Sequence, residues 1–378
     1  STRKESSAAS DVYKRQMIDL TRRQLFGATA VAGATGVLAS CSAQPPAEQI
    51  DTSGPPQKGG TLRVGLVGGS TADTVDAHIP ASASDAARVV NLYELLVRRG
   101  YDYELEYRLA ESIESNEAAT EWTVVLRDGI KFSDGRPVRP QDVVATLERI
   151  GDPEDPKNGA GSIAHVEALE ILDDRTLVIK LSHADAVFVD TLAEYQMGIV
   201  PEDYDPKNPI GAGPFKLTNF SPGRSTSMER NEHYFEGPAN LDAVHVIDFY
   251  QEDAMLNALL SSQVDGIGAL NHALVRVIEA DPRLNVVSSE TGMWLPFTIR
   301  VDVEPFDDER VRQAMRLAAD RPGMVNQVFS GEGQVGNDMF ALYDPAYPHE
   351  FPQREQNIEE AKRLLAEAGY PDGCLLYT

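Results

Sequence analysis

The sequence predicts an α/β protein with at least two lobes. Three observations lead there. A chain of 378 residues is longer than the span at which a single core stops growing, and 42% of it is hydrophobic. Alternating apolar stretches recur between stretches with an apolar residue every three or four positions, the way strands and crossover helices succeed one another in a sheet. The block Trp122–Ile150 (WTVVLRDGIKFSDGRPVRPQDVVATLERI) holds both kinds of element back to back. Trp122–Leu126 alternates as a half-buried strand does, Arg127-Asp128-Gly129 turns, and Ile130–Phe132 gives a second short strand. Ser133-Asp134-Gly135-Arg136-Pro137 has the chemistry of an ordered loop. A helix then starts at Pro140, with Asp142 at the positive end of its dipole and Val143, Leu147 and Ile150 on one face. The polar residues of this block serve turns and caps and include no nucleophile-and-base pair, so it reads as scaffold.

The two ends read differently from the middle. Residues 1–16 precede the first methionine, Met17, and are expected to be a non-native leader. Residues 17–41 open with Thr21-Arg22-Arg23-Gln24-Leu25-Phe26 and continue through the small, apolar run Gly27–Ala39. Paired Arg22 and Arg23 ahead of such a run resemble a twin-arginine export signal. Leu38-Ala39-Ser40-Cys41 reads as a lipobox, which in bacterial lipoproteins directs diacylation of the cysteine sulfur and cleavage just before it. A spanning helix is disfavoured, because the run falls short of about 20 strongly apolar residues. Residues 42–58, with Pro45, Pro46, Pro55 and Pro56, cannot pack and read as a tether. The remaining cysteine is Cys374, so lipidation of Cys41 leaves no intramolecular disulfide. The last five residues, Cys374–Thr378, read as foreign sequence on a truncated fragment.

Between the ends, 34 Lys and Arg face 59 Asp and Glu, a formal charge of -25. That balance opposes nucleic acid and anionic membrane surfaces as partners of the body of the protein. Thr61–Val67 reads as a strand ending in Gly68-Gly69-Ser70, and such strand-to-loop edges are where α/β sheets place ligands. Ala86–Val97 reads as a helix with Tyr93 on its apolar face. Leu169–Leu172 and Leu177–Leu181 flank Asp173-Asp174-Arg175 as a β-hairpin. Gly211–Leu217 reads as a return to the first sheet, its glycines serving backbone geometry. Asp253–Leu260 reads as a helix leading to a strand near Val264–Ile267. Asp307–Asp320, Met324–Phe329 and Glu359–Ala368 read as helices, the first capped by Asp307 or Asp308 and the last ended by Gly369.

Several of these segments carry a resemblance in common. The block Trp122–Ile150, KGGTLRVG at Lys58–Gly65, GAGPFKL at Gly211–Leu217, ERNEHYFEG at Glu229–Gly237, PFDDERVRQAMRLAADR at Pro305–Arg321 and EEAKRLLAEAGYPDG at Glu359–Gly373 occur in the order found in one family. The chain is similar to the family-5 extracellular solute-binding proteins, the oligopeptide, dipeptide and nickel receptors of ABC importers. The resemblance implies a two-lobed, periplasmic-binding-protein-like (type II) α/β fold. Lobe I would occupy 59–299 with a third subdomain inserted at about 74–195, and 300–378 would begin lobe II. It places the loop after the first strand and the Tyr-Glu pair near the mouth of the cleft, which points to Ser70, Asp73, Tyr93 and Glu94 as ligand-binding. Leu95 departs from the Gly or Pro usual after that Glu. It also implies that Gly292–Arg300 is a strand crossing between lobes, which adds Trp294, Phe297 and Arg300, although Thr298-Ile299-Arg300 replaces the usual Phe-Asn ending.

The resulting expectation is a monomeric, lipid-anchored extracytoplasmic binding protein without cofactor or metal. It would hand a small solute, short peptides first, to an ABC permease and its ATPase subunits. Nickel chelates, opines and oligosaccharides are alternative ligands, and a receptor or chaperone of the same fold without transport is an alternative role. A hydrolase is disfavoured, because no G-x-S-x-G, H-E-x-x-H or S-x-x-K stands in a convincing setting. His165 with Glu167, and His233 with Glu232, read as surface residues.

Overall fold

The computed structural model describes residues 54–373 apart from 101–102, 269, 290 and 344–346. Its first described element, strand β1 (Thr61–Val67), has the bounds that its apolar-rich run predicts. Helix α1 (Ala83–Leu92) follows, opened by a capping box in which the Ser82 hydroxyl accepts from Asp85 N and the Asp85 carboxylate accepts from Ser82 N, both at 3.1 Å. The helix stops five residues short of the predicted Val97. Tyr93 is extended, with φ −118° and ψ 157°, and the carbonyl of Leu92 accepts from Gly213 N at 3.0 Å instead of continuing the helix. The competing interaction comes from a segment about 120 residues away, which no local propensity reports.

A short hairpin, β2 (Val97–Arg99) with β3 (Leu105–Tyr107), leads into β4 (Ala110–Ser115) and β5 (Glu121–Leu126). The predicted strand Ile130–Phe132 does not form. Phe132 N donates to Arg136 O and Val138 N to Ile130 O, which leaves a single bridge across the loop because the chain reverses after three residues. Helix α2 (Pro140–Ile150) starts at Pro140 as predicted, and its Asp142 does more than meet the dipole. That carboxylate is buried and accepts from Arg139 N at 2.8 Å and Glu202 N at 3.0 Å, tying the helix start to a distant loop. Strands β6 (Val166–Ile171) and β7 (Thr176–Leu181) form the hairpin expected around Asp173-Asp174-Arg175, and a turn of helix, α3 (Phe188–Thr191), follows.

Strands β4, β5, β7 and β6 make an antiparallel four-stranded sheet in that order. On β5 the alternate residues Trp122, Val124 and Leu126 are buried, and they share a core with Val143, Leu147 and Ile150 of α2. Burying each such side chain is worth roughly 1.5–3 kcal/mol.

The chain then returns to β1. Strands β8 (Phe215–Ser221), β9 (Ser225–Arg230) and β10 (Ala243–Phe249) are followed by α4 (Glu252–Leu260) and the two-residue β11 (Gly266–Ile267). The five-stranded sheet runs β11-β1-β10-β9-β8, with β1 parallel to β10 and β11, and β9 antiparallel to both its neighbours. Helix α1 packs on this sheet through Val89 and Leu92, against Val244, Val246, Met228 and Phe215.

Beyond a short helix, α5 (Val275–Glu279), come α6 (Glu309–Ala318), α7 (Arg321–Val328) and α8 (Ile358–Glu367). Asp308, Asp320 and Asn357 each cap the helix they precede. Pro322 sits in the first turn of α7, where its missing N–H is unneeded. Ala314 of α6 meets Ala361 and Leu364 of α8. Gly292–Arg300, predicted as a crossing strand, is irregular: among the described residues no strand hydrogen-bonds to it. An extended segment without a partner has nothing to hold it in a ladder.

Candidate functional site

At the end of β1 the Gly68–Ser70 loop carries the first two candidates. Ser70 is exposed and its hydroxyl accepts from Ala72 N at 3.0 Å. Asp73 is buried, accepting from Gly69 N and Ser70 N at 3.1 Å and from Gly223 N at 3.3 Å, and standing 3.7 Å from Arg88. Its carboxylate shapes the loop from beneath, while Ser70 is what the loop presents. Tyr250, just past β10, lies against Gly69 and is 80% exposed on the same edge.

Tyr93 and Glu94 are interior residues in two separate networks. The Tyr93 hydroxyl donates to Val75 O at 2.6 Å and lies 2.7 Å from the Tyr204 hydroxyl; burial, first of all, raises it well above the usual phenol range. The second network holds Glu94, which accepts from Arg108 at 3.2 Å, from the Tyr234 hydroxyl at 2.8 Å and from Leu95 N at 3.0 Å. Arg108 also forks onto Glu236 and sits over the Phe235 ring, 4.9 Å from its centroid. Burial raises the Tyr234 hydroxyl further, with the Glu94 charge adding to it.

A third interior network joins Asp76, His78 and Arg149. Arg149 donates to both oxygens of Asp76, and the fully buried His78 ring contacts Arg149 through Nδ1 and Gly198 O through Nε2, the latter at 2.9 Å. Burial pulls its pKa down to about 4, against the help of the Gly198 carbonyl.

The remaining candidates lie on the irregular segment. Trp294 is 53% exposed and pairs with Phe340, ring centroids 5.5 Å apart at 35°. Phe297 is 82% exposed. Arg300 holds Asp302 through two hydrogen bonds and remains on the surface. Tyr103, which the sequence reading passed over, reaches this segment from the tip of the β2–β3 hairpin. Its hydroxyl accepts from Gly292 N at 2.8 Å, its ring stacks on Tyr343 at 5.4 Å, and its φ of 66° is the left-handed conformation that a bulky side chain rarely adopts. Aromatic groups from residues 103, 294, 340 and 343 therefore gather about one exposed stretch, and no sequence period links them.

Cys41, Arg22 and Arg23 lie outside the described residues. Among the described residues no group of three or more His, Cys, Asp and Glu is placed to hold a metal ion, and no helix is long and apolar enough to cross a membrane. The one clustered pair of histidines, His165 and His183, divides its partners: Asp185 meets His165, whereas Ser182 Oγ lies 3.2 Å from Nδ1 of His183. No single imidazole there joins a hydroxyl to a carboxylate, as a nucleophile relay requires.

The family model for bacterial extracellular solute-binding proteins, family 5 middle, matches residues 104–377. The chain belongs to this family. Among family-5 relatives, the oligopeptide-binding protein AppA of Bacillus subtilis is 28% identical over 339 residues, covering 85% of this chain and 61% of AppA. Heme-binding protein A of Haemophilus influenzae is 27% identical over 300 residues, covering 71% of this chain and 55% of its own. The chain thus spans about three fifths of the length of these relatives. Of solved structures, AgaA in complex with agropinic acid, from A. tumefaciens R10, superposes with a TM-score of 0.67 at 30% identity, covering 83% of this chain and 65% of that one. AppA of Bacillus subtilis in complex with a nonapeptide gives 0.67 at 26%, with the same coverage of both chains. The fold is the mixed α/β, type II periplasmic-binding-protein fold of these family-5 structures.

Proposed function

We propose that the protein is the lipid-anchored, substrate-binding component of an ABC importer, capturing short peptides outside the cytoplasm and delivering them to the permease. The observation that carries this reading is the match of residues 104–377 to the family-5 solute-binding proteins. AppA, solved with a nonapeptide, supports the peptide class. AgaA, solved with agropinic acid, supports opines as the second class. Ser70, on the loop at the β1 edge, and the aromatic residues Trp294 and Phe297 are the ligand-facing groups in this reading, with Tyr103 and Phe340 added to them. Asp73, Tyr93 and Glu94 position the loop and the α1 end from within. Residues 59–299 act as lobe I, with about 74–195 as its inserted subdomain, and residues from 300 onward enter lobe II. Closure of the lobes follows from contacts made only in the closed state. Cys41 anchors the chain after export directed by Arg22 and Arg23.

The test is thermal unfolding of the full-length protein that contains this chain, without its signal, against peptides, opines, sugars and nickel chelates. A ligand at about 100 times its dissociation constant adds about 2.7 kcal/mol. A folded protein that no member of the panel stabilises overturns the peptide and opine readings together. Cys41→Ser is expected to release the protein from membranes of its native host, and continued retention sinks the anchor.

A further inference from the structure

Beneath the Gly68–Asp73 loop, three carboxylates surround one guanidinium. Arg88 NH1 donates to Asp85 at 2.6 Å, NH2 donates to Asp248 at 2.5 Å and stands 3.7 Å from Asp73, and Nε donates to Thr226 at 2.7 Å. The four charged side chains are all within 2% of complete burial. With every group ionised the cluster would hold a net charge of −2 out of water, a state that costs several kcal/mol per uncompensated ion.

The three carboxylates are not equally compensated. Asp73 accepts from three backbone N–H groups, those of Gly69, Ser70 and Gly223. Asp85 accepts from Thr74, Ala81 and Ser82 N and sits in the first turn of α1, at the positive end of its dipole. Asp248 has Arg88 on Oδ1, and its Oδ2 is buried without a hydrogen bond. Beside it Ser84 Oγ is buried as well, near enough for its hydroxyl to favour the ionised carboxylate but without a well-formed hydrogen bond, and both side chains lie against Gly68. Arg224, on the turn above, gives its carbonyl to Asp248 N at 3.0 Å and keeps its side chain exposed. No further cation reaches the cluster among the described residues.

We propose that Asp248 is a proton-binding site: a proton from solvent bonds to Oδ2, and the resulting carboxylic acid donates to Ser84 Oγ beneath the Gly68–Asp73 loop. The proton lowers the trapped negative charge by one, which the Ser84 hydroxyl donating to an ionised Oδ2 would not do, while Oδ1 still accepts from Arg88. Burial, the largest influence, holds the Asp248 carboxyl above the ordinary carboxylate range, with Asp73 and Asp85 pushing the same way and Ser84 and Arg88 opposing. The sign of the linkage follows. The folded protein keeps this proton at pH values where the unfolded chain has lost it, so the stability it contributes is complete at the acid end and declines as pH rises through the folded value. Because Asp73 holds Gly69, Ser70 and Gly223 in the same cluster, the loop that presents Ser70 becomes pH-responsive.

Asp248→Asn copies the acid: its Oδ1 accepts from Arg88 and its Nδ2 donates to Ser84 Oγ. Thermal unfolding of wild type and variant is followed from pH 4 to pH 8, together with the carboxyl carbon resonance of Asp248 in the wild type. The expected result is a melting temperature for the variant that gains on the wild type as pH rises, and a carboxyl resonance that titrates above the ordinary carboxylate range. A difference between the two proteins that stays constant with pH overturns the proposal, as does a resonance that titrates at or below that range. Should the variant not fold, the resonance decides alone.

Discussion

Gly211 packs so tightly on Leu92 that a Cβ built on it would lie 2.0 Å from the Leu92 carbonyl oxygen. Gly213, two residues on, would place its Cβ 2.6 Å from Asn91 O. These glycines let the strand that returns to the five-stranded sheet lie directly on the end of α1, and there the backbone of Tyr93 turns extended.

Gly211→Ala is therefore expected to cost at least about 2 kcal/mol, since overpacking a rigid backbone contact costs 1–3 kcal/mol or more. Urea unfolding measures it. Gly266→Ala is the control, because a Cβ there meets nothing within 4 Å, and a cost below about 1 kcal/mol is expected. Equal costs at both positions would mean that the contact with Leu92 is dispensable.

Arg108→Ala strands Glu94 in the interior, with the Tyr234 hydroxyl and Leu95 N as its remaining donors. A loss of about 3–5 kcal/mol is expected. Glu236, the half-exposed partner of the same guanidinium, is expected to cost no more than about 1 kcal/mol when replaced by Ala. Reversal of that order in chemical denaturation would contradict the burial argument.

The His78 ring gives the chain an acid limit. Its folded pKa of about 4 lies below the unfolded value of 6.5, so the unfolded chain binds the proton first and stability falls as pH drops from about 6.5 to about 4. The full effect is on the order of 3 kcal/mol. His78→Gln is expected to flatten this part of the stability profile; an unchanged slope would remove His78 as its source.

Trp294→Ala separates binding from folding. Trp294 is half-exposed and outside the core, so unfolding without ligand is expected to shift by less than about 1 kcal/mol. Affinity for the stabilising peptide, measured by calorimetry on the full-length protein, is expected to fall by about 2 kcal/mol or more, as truncation of an aromatic anchor does. Undiminished affinity would remove Trp294 from the ligand-facing set.

How much of this was legible beforehand depended on the range of the forces concerned. β1, α2 and α8 could be placed because their signals are local: the apolar-rich run Thr61–Val67 ahead of Gly68-Gly69, Pro140 with Asp142, and the run Glu359–Ala368 ended by Gly369. The end of α1 could not, because Gly211 and Gly213 impose it from a distance. Asp73, Tyr93 and Glu94 were recognisable as chemistry-bearing residues at element ends. Their burial was not, since Arg88, Tyr204 and Tyr234 reach them only through the fold. Asp85 and Arg88, three apart on one turn, were the available hint of an ion pair inside the helix face, and Asp248 could not be joined to them from sequence. Tyr103 and Phe340 left no periodic trace, because loops, not faces of elements, bring them to Gly292 and Trp294.

The parallel register of Thr61–Val67 with Ala243–Phe249 also sets a timetable. Among the described strands, the first to leave the ribosome pairs with residues made about 180 positions later, roughly 10–40 s at ordinary rates of synthesis. Until then its apolar side chains and its backbone donors and acceptors are uncovered, while the antiparallel four-stranded sheet, whose strands all lie between residues 110 and 181, can already close. The order of assembly therefore inverts the order of the sequence: the middle folds first, and the beginning waits for the return of the chain.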